Sequence, residues 1–526
     1  MATQHWVDTY VDRIIREKGD RSSEPYTCAS GITPSGTVHI GNFREIISVD
    51  LIVRGLRDRD KPVRFIYSWD DYDVFRKVPK DVPDPEAFAA YLRMPITMIP
   101  DPLGREANYA LAHERELEEV LVEVGIEPEY IYQAERYRSS IYAEGIRTAL
   151  EKRDVIRRLL DEHRSSPLPE EWWPVSVFST FTDKDTTTVL DWDGDWGLRY
   201  RCDETGNEET LDLRTSSAVK LPWRIDWPMR WAHERVDFEP AGKDHHSEGG
   251  SFDTAENIVR EVYGFEPPVS FQYDFIGVKG RGGKISSSAG GVVSLRDVLE
   301  IYQPEVVRYL FAGTRPNSEF SISFDLDVIK IYEDYDRCER AYYGAEQIAE
   351  RRREKERRSY ELSQLAAPSA EMPVQIPFRH LCNRLQIAAG DVAQALEEFG
   401  PLEGDDLVRA EKRAACAWNW ITSFAPEDFR FHLKSAADQP IELGEHERRA
   451  LTALRNLIRD RLDEHDEKSL NTAIYDIARA EGLEPKDFFR VMYQVLVGKE
   501  KGPRLAGFVF TIGRERILEI LDRYPE

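Results

Sequence analysis

The sequence predicts an α/β protein in which a parallel sheet is split by an inserted domain and followed by an all-α C-terminal region. Three observations carry this. A strand beginning at Tyr26 runs into Gly31 and the turn Thr33-Pro34-Ser35-Gly36, after which Phe43, Ile46, Ile47, Val53 and Leu56 recur at helical spacing. The pattern then stops from about 78 to 210, where prolines and a Trp/Asp/Gly-rich stretch intervene, and resumes at Val236-Asp237-Phe238. Beyond about Asp334 the chain reads as helix upon helix.

In chain order, strands are expected at 26–30 and 64–69, the second ending in Asp70-Asp71. Strand, turn, helix, strand is the opening of a Rossmann-type sheet, whose ligands sit beyond the carboxyl ends of the strands. After the interruption, the strand at 236–238 leads to Gly242-Lys243-Asp244-His245-His246, a helix over 251–263 stops at Gly264, and a strand spans 271–278. The run Arg351 to Arg358 precedes a Pro/Ser/Ala linker. The expected division is 1–95 and 216–290 for the two halves of the sheet, 96–215 for the insertion, 291–360 for a region placed to contact the stem of a nucleic-acid partner and 361–526 for a helical nucleic-acid-binding domain.

The 526 residues are enough for several cores, with 41% hydrophobic and 11% aromatic residues. A formal charge of -25 makes the surface strongly acidic. Phosphate would be repelled from it unless local basic patches or salt intervene. Adaptation to high internal salt is one reading of that charge, and an ordinary acidic cytosolic protein is the other. The five cysteines are scattered, which argues for a reducing compartment without disulfides. No apolar run of signal-peptide or membrane-span length occurs, so a soluble cytoplasmic protein with no membrane partner is expected.

Two motifs carry the chemistry. Pro34-Ser35-Gly36-Thr37-Val38-His39-Ile40-Gly41-Asn42 lies between a strand and a helix start, where free N–H groups and the positive dipole end favour phosphate. Gly36 and Gly41 let a nucleotide approach the backbone, and His39 and Asn42 offer donors to charge on a transferring phosphoryl group. Far downstream, Lys279-Gly280-Arg281-Gly282-Gly283-Lys284-Ile285-Ser286-Ser287-Ser288 is a glycine-flanked loop with a lysine and three serines. One cation with several hydroxyls suits a departing pyrophosphate.

These motifs resemble the HIGH-type and KMSKS-type signatures of class I aminoacyl-tRNA synthetases. Three longer stretches resemble the class I lysyl-tRNA synthetases in particular, in the archaeal-type form: 29–36 (Ala-Ser-Gly-Ile-Thr-Pro-Ser-Gly), 221–228 (Leu-Pro-Trp-Arg-Ile-Asp-Trp-Pro) and 498–505 (Gly-Lys-Glu-Lys-Gly-Pro-Arg-Leu). The resemblance runs from about Tyr26 to the C-terminus. Asn42 stands in place of the second His, and Ser287 in place of the second Lys of KMSKS, which leaves Lys284 as the loop's principal cation. Both variants occur in that family.

The resemblance implies in-line attack of the lysine carboxylate on the ATP α-phosphorus, then transfer of the lysyl group to tRNA(Lys). Positioning and charge stabilisation dominate such chemistry. It implies ATP-binding roles for Pro34, Gly36, His39, Gly41, Asn42, Lys284, Ser286, Ser287 and Ser288, with His39, Asn42 and Lys284 catalytic. Mg²⁺ is expected with ATP and needs no dedicated protein cage. For L-lysine, the expected contacts are Gly31, Thr33, Asp70, Asp71, Trp223, Trp227, His245 and His246. Trp223, Trp227 and Trp231 would share one helical face, although Pro222 and Pro228 argue against a continuous helix, and core packing is as good an account of them. One of His245 and His246 faces substrate; as a metal site the pair is poor, because adjacent side chains diverge.

Family members often carry a paired-cysteine zinc module in the insertion. Here Ser176 and Ser179 stand at the first pair and only Cys202 remains of the second, so no structural zinc is expected. The helical C-terminal part resembles an anticodon-binding cage. Its basic clusters (351–358; Arg448, Arg449, Arg455 and Arg459; Lys499, Lys501 and Arg504) are individually better read as solvated faces. Trp418, Trp420, Phe489 and Tyr493 could stack on bases, with core packing the stronger reading of each. A monomer is expected. The rival readings are a glutamyl-type class I enzyme, a small-molecule nucleotidyltransferase, and a non-catalytic tRNA-binding paralogue.

Overall fold

The computed structural model of the chain describes residues 4–79, 82–280, 292–435 and 437–524. Four parallel strands form the central sheet, in the spatial order Glu129–Tyr132, Val63–Trp69, Tyr26–Ile32, Val236–Phe238. Two further parallel pairs extend the same theme: Ala241–Gly242 with Gln272–Tyr273, and Ile276–Lys279 with Phe320–Ser323. The helix Ile40–Arg57 makes the first crossover. Its Phe43, Ile46, Ile47, Val49, Leu51, Ile52 and Val53 are all buried, as a helix packed on one side by the sheet and on the other by later helices requires. At Gly31 a Cβ would stand 2.6 Å from the Ser68 carbonyl oxygen, so glycine is what lets the two central strands pass.

The structure moves several expected boundaries. The strand Glu129–Tyr132 pairs in parallel with Val63–Trp69, so the first half of the sheet extends to 132 and does not end at 95. The proline-rich stretch after 78 looks like a domain break but only precedes the helix Tyr109–Glu123 of that half. The strand expected over 271–278 is two strands, because the chain changes partners at Asp274-Phe275. The helix Trp223–Glu234 is continuous despite Pro228, which removes one N–H from its ladder. Trp227 and Trp231, both buried, supply the packing that offsets this loss.

Three main cores result. The largest runs from Trp6 to Ala425 and joins the sheet to the helices Asp327–Tyr342, Phe378–Ile387 and Gly404–Ser423. The insertion has its own core, including Tyr200, Leu198, Val177 and Leu221. A separate helical core spans Leu433 to Tyr524. The self-contained C-terminal unit therefore begins near 433 and not at 361: Phe378 stacks on Tyr332 with centroids 3.8 Å apart, and the Trp420 indole N–H donates to the Phe324 carbonyl at 2.9 Å. Among the described residues, no helix is long and apolar enough to cross a membrane.

Candidate active site

The first motif forms a bend and helix start at the carboxyl end of Tyr26–Ile32. His39 is the N-cap of Ile40–Arg57, its Nδ1 accepting from the Asn42 N–H at 3.2 Å. Burial holds its pKa below the ordinary imidazole value, so the ring is neutral near pH 7. With Nδ1 an acceptor, the proton lies on Nε2, which is left to donate outward. A Cβ at Gly41 would lie 2.8 Å from the His39 ring, so this glycine makes room for its neighbour's imidazole. At Gly36 a Cβ would meet no protein atom within 4 Å, leaving that backbone open to approach. Pro34 is buried beneath the turn.

Lys284, Ser286, Ser287 and Ser288 of the second motif lie outside the described residues. The segments on either side are placed beside the first motif. The Ile40 N–H donates to the Val293 carbonyl at 2.8 Å, and His39 and Ser294 form an isolated bridge. On the near side, Ile276–Lys279 ends at Gly280, whose φ of +82° and close approach to the Asp325 N–H suit glycine.

Next to His39 opens a cavity of about 590 Å³. Gly31, Thr33, Asn42, Asp70, Trp223 and His245 of the expected contacts line it. Five carboxylates also do: Glu45, Asp70, Asp73, Asp185 and Asp226. Four have cationic partners. Asp70 and Asp226 pair with Arg230 at 2.6 and 3.1 Å, Asp73 with Arg76 at 2.8 Å, and Asp185 with Arg93 at 2.7 Å. Glu45 has no cationic partner among the described residues. Its Oε1 accepts from the Ser30 hydroxyl at 2.8 Å and the Gly31 N–H at 3.3 Å, and its Oε2 accepts from the Tyr273 hydroxyl at 2.5 Å. Burial raises its pKa above the usual carboxylate range, although the Tyr273 and Ser30 hydrogen bonds oppose the shift.

The floor is a polar network on tryptophans. Trp223, 41% exposed at the cavity wall, stacks on Trp227 with centroids 4.9 Å apart. Trp227 faces the smaller space behind the cavity, and its indole N–H, like that of Trp231, donates to Glu239. Burial, reinforced by the charge of Glu45, pushes Glu239 up to about 7. Asp71 does not line the cavity. It accepts from the Ala134 N–H at 2.8 Å, capping the next helix, and burial pushes it up to about 7. Of the two histidines, His245 lines the cavity, whereas His246 lies 3.2 Å from the Ser270 hydroxyl.

The sequence reading missed Glu45, Tyr273 and Arg230. Glu45 was legible: Asn42 and Glu45 follow His39 at three-residue steps, which puts Asn42 and Glu45 on one helix face. Tyr273 and Arg230 reach the site only through tertiary packing, which no spacing announces.

In the insertion, Ser176, Ser179, Cys202 and Thr205 occupy the two-by-two positions expected of a zinc knuckle. This donor set does not fit zinc, which takes thiolate, imidazole or carboxylate ligands. Instead the buried Cys202 thiol is held by hydrogen bonds. Desolvation raises its pKa, but Ser179 and Thr205 more than offset this and bring it to about 7. Among the described residues no three His, Cys, Asp or Glu side chains converge to hold a metal. In the C-terminal region Trp420 is a core residue, Tyr493 donates to the Pro503 carbonyl at 2.5 Å, and half-buried Phe489 packs edge-on against exposed Tyr475.

Comparison with known proteins places this geometry in context. A sequence model described as tRNA synthetases class I (K) matches residues 4–366. The chain is 52% identical to a lysine–tRNA ligase of Borreliella burgdorferi, covering 100% of both sequences. It is 53% identical to one of Treponema pallidum, over 99% of this chain and 98% of that one. It is 40% identical to one of Pyrococcus horikoshii, over 98% and 99%. These bacterial relatives are more similar to it than this archaeal one, so the sequence resemblance is not specifically archaeal.

Proposed function

The chain belongs to the class I (K) tRNA synthetases and is a lysine–tRNA ligase, and on that premise we propose how its residues divide the work. Glu45 receives the side-chain ammonium of lysine. The observation that carries this is charge balance: of the five carboxylates lining the cavity, Glu45 alone has no cationic partner among the described residues. Tyr273 and Ser30 orient it, and Trp223 covers the aliphatic stem. Asn42 lies one helical step of three residues from Glu45, ~4.5 Å along the axis. A lysine with its ammonium on Glu45 therefore brings its carboxylate toward Asn42 and His39. Thr33, Gly31 and His245 complete the lining, and Asp70 supports it through Arg230.

His39 Nε2–H and Asn42 donate to the triphosphate and to charge developing on the α-phosphoryl group, while Gly36, Pro34 and Gly41 shape the backbone that ATP approaches. Lys284 with Ser286, Ser287 and Ser288 takes the departing pyrophosphate, and the Ile40–Val293 hydrogen bond supports bringing that loop to the same site. Mg²⁺ enters with ATP, held by its phosphates. The test is pyrophosphate exchange with tRNA present and a panel of amino acids. Exchange specific to lysine is expected; exchange specific to glutamate sinks the assignment.

Gly41→Ala tests the His39 role by displacing its ring, with the KM for ATP followed alongside because Gly41 also shapes the backbone that ATP approaches. The added methyl displaces the imidazole, and a displacement of about 1 Å can cost on the order of 10²-fold in rate. Aminoacylation kcat is expected to fall by about that factor with the lysine KM nearly unchanged; a normal kcat argues that the ring position does not matter.

We also read the charge of -25 as adaptation to a salty cytoplasm, and the site, completed within one chain, as that of a monomer. Aminoacylation is expected to peak well above ordinary ionic strength. A salt titration that declines monotonically from low ionic strength refutes the salt reading, and sedimentation as a dimer refutes the monomer.

A further inference from the structure

The Arg351–Arg358 run is sorted by the fold into two halves. Arg357 is held by Glu354 and Glu361, and Arg358 by Asp8, Asp58 and Glu361, so these two are structural ties. At the other end of the same helix, Glu350–Ser363, Arg351 and Lys355 share one face by their four-residue spacing. Together with Arg315 and Arg352 they line a second cavity of about 400 Å³, whose apolar wall is His5 and Trp6. Arg352 pairs with Glu356 at 2.7 Å. Arg315, Arg351 and Lys355 have no carboxylate partner among the described residues.

This arrangement opposes stability in two ways. The first turn of the helix carries Arg351, Arg352 and Arg353 against the positive end of its dipole, with Glu350 the one acid there, and its N-cap, Ala349, gives no side-chain cap. Moreover, on a chain with charge -25, Arg315, Arg351 and Lys355 have no ion pair with a carboxylate among the described residues, whereas Arg352 is paired with Glu356. Burial depresses the His5 pKa to about 4; the hydrogen bond to Ala312 and the charge of Glu354 oppose this, and the charges of Arg358 and Lys355 add to it. An anion seated in the cavity would relieve both penalties.

The cavity is also tied to the active site. Arg44, next to Glu45 on the helix that starts at His39, donates to the carbonyls of Arg315, Pro316 and Ser318 at 3.0, 2.6 and 2.7 Å. The cavity offers no exposed ring for stacking: Trp6 is buried, and its indole N–H donates to the Ala312 carbonyl at 2.9 Å. Gln4 also lines it, with its amide N–H already donating to Asp12 at 2.8 Å, so what the cavity chiefly presents is positive charge.

We propose that this cavity, with Arg315, Arg351 and Lys355 at its rim, binds the sugar–phosphate backbone of the substrate tRNA, positioning it against the catalytic domain without reading its sequence. The proposal rests on tRNA being the substrate. If it holds, the contribution is electrostatic, with roughly 0.7–0.9 of log–log salt slope for each phosphate neutralised.

The experiment measures equilibrium tRNA binding by the full-length chain across the salt range in which it stays folded. The variants are Arg315→Ala, Arg351→Ala and Lys355→Ala, singly and combined, with Arg315→Lys/Arg351→Lys as the charge-retaining control. The triple variant is expected to weaken binding at least tenfold at the lowest salt and to reduce the slope by about 2 to 3. Cognate and non-cognate tRNA should lose equally, KM for lysine and ATP should hold, and the lysine control should retain the wild-type slope. An unchanged slope overturns the proposal, as does loss confined to cognate tRNA. Inorganic phosphate provides the other arm: if it protects the wild type alone against thermal unfolding while the tRNA slopes are equal, the site takes free phosphate and the proposal fails. Should the wild-type chain bind no tRNA at all, the functional reading fails rather than this surface.

Discussion

Glu45→Gln is expected to lower kcat/KM for lysine by about 10³-fold while leaving the KM for ATP within a few-fold of its starting value. The replacement keeps the shape of the side chain and an oxygen for the Ser30 hydroxyl and the Gly31 N–H, while its NH2 meets the Tyr273 hydroxyl, which turns to accept, so the cavity survives. What goes is the lining carboxylate that has no cationic partner among the described residues. Leaving a buried charge without its counterpart costs about 3–5 kcal/mol, which is where the factor comes from. Stability should move the other way. Burial raises the Glu45 pKa, so folding disfavours its ionised form and the carboxylate is a cost to the unliganded fold once the pH rises through the raised pKa. The glutamine variant should therefore melt no lower than the parent near neutral pH. The same shift makes lysine binding release a proton. Apparent lysine affinity should improve as pH rises through the raised pKa of Glu45 and then level off, and the glutamine variant should lose that dependence. The groups facing Glu45 are Tyr273, Ser30, Asp70 and Glu239. Glu239 is pushed up to about 7 and donates nothing to the cavity, so its titration would persist in the variant and can be told apart. A full-rate E45Q enzyme would falsify the assignment of the ammonium to this residue.

The sheet was legible wherever side-chain chemistry and backbone geometry coincide. Tyr26–Ile32, the turn through Gly36 and the helix that follows come from an apolar run, turn residues and helical spacing, all local signals, although the spacing begins the helix only at Asn42, whereas it starts at Ile40 with His39 as its cap. The limit at 95 was misplaced because prolines after 78 produce the same local signal as a domain boundary, whereas the membership of Glu129–Tyr132 in the sheet is a long-range pairing. The same contrast runs through the site. His39, Asn42, Gly31 and Thr33 announce themselves by spacing. Asp71 adjoins Asp70 in the sequence, but both lie past the strand end at Trp69, and the turn there brings Asp71 to the Ala134 N–H, where it caps the helix Gln133–Arg138. His245 and His246 part in the turn after Ala241–Gly242, one at the cavity and the other beside Ser270. Arg230 looks like one more surface charge in the sequence, yet it is the buried cation that neutralises Asp70 and Asp226 and so leaves Glu45 as the odd carboxylate out.

His39→Asn separates what that residue does for the fold from what it does for the reaction. In the structure Nδ1 of the imidazole caps the helix by accepting from the Asn42 N–H, which leaves Nε2–H for the proposed contact with the nucleotide. Asparagine is among the best N-cap residues, so it can keep the first function, whereas alanine would lose about 1 kcal/mol of helix stability. Asparagine's shorter side chain, committed to the cap, cannot reach outward as Nε2 does. His39→Asn is therefore expected to melt near the parent temperature and to lose on the order of 10²–10³ in kcat, the usual loss for one donor to developing charge, with lysine binding little changed. His39→Ala should show the same rate loss plus the stability loss. The contrast matters because a donor that acts on the transition state alters kcat and kcat/KM together, while a cap that merely holds the helix would let His39→Asn rescue both. If asparagine restores the rate, the imidazole is a structural cap, and the neutral His39 held below its ordinary pKa has no part in moving charge.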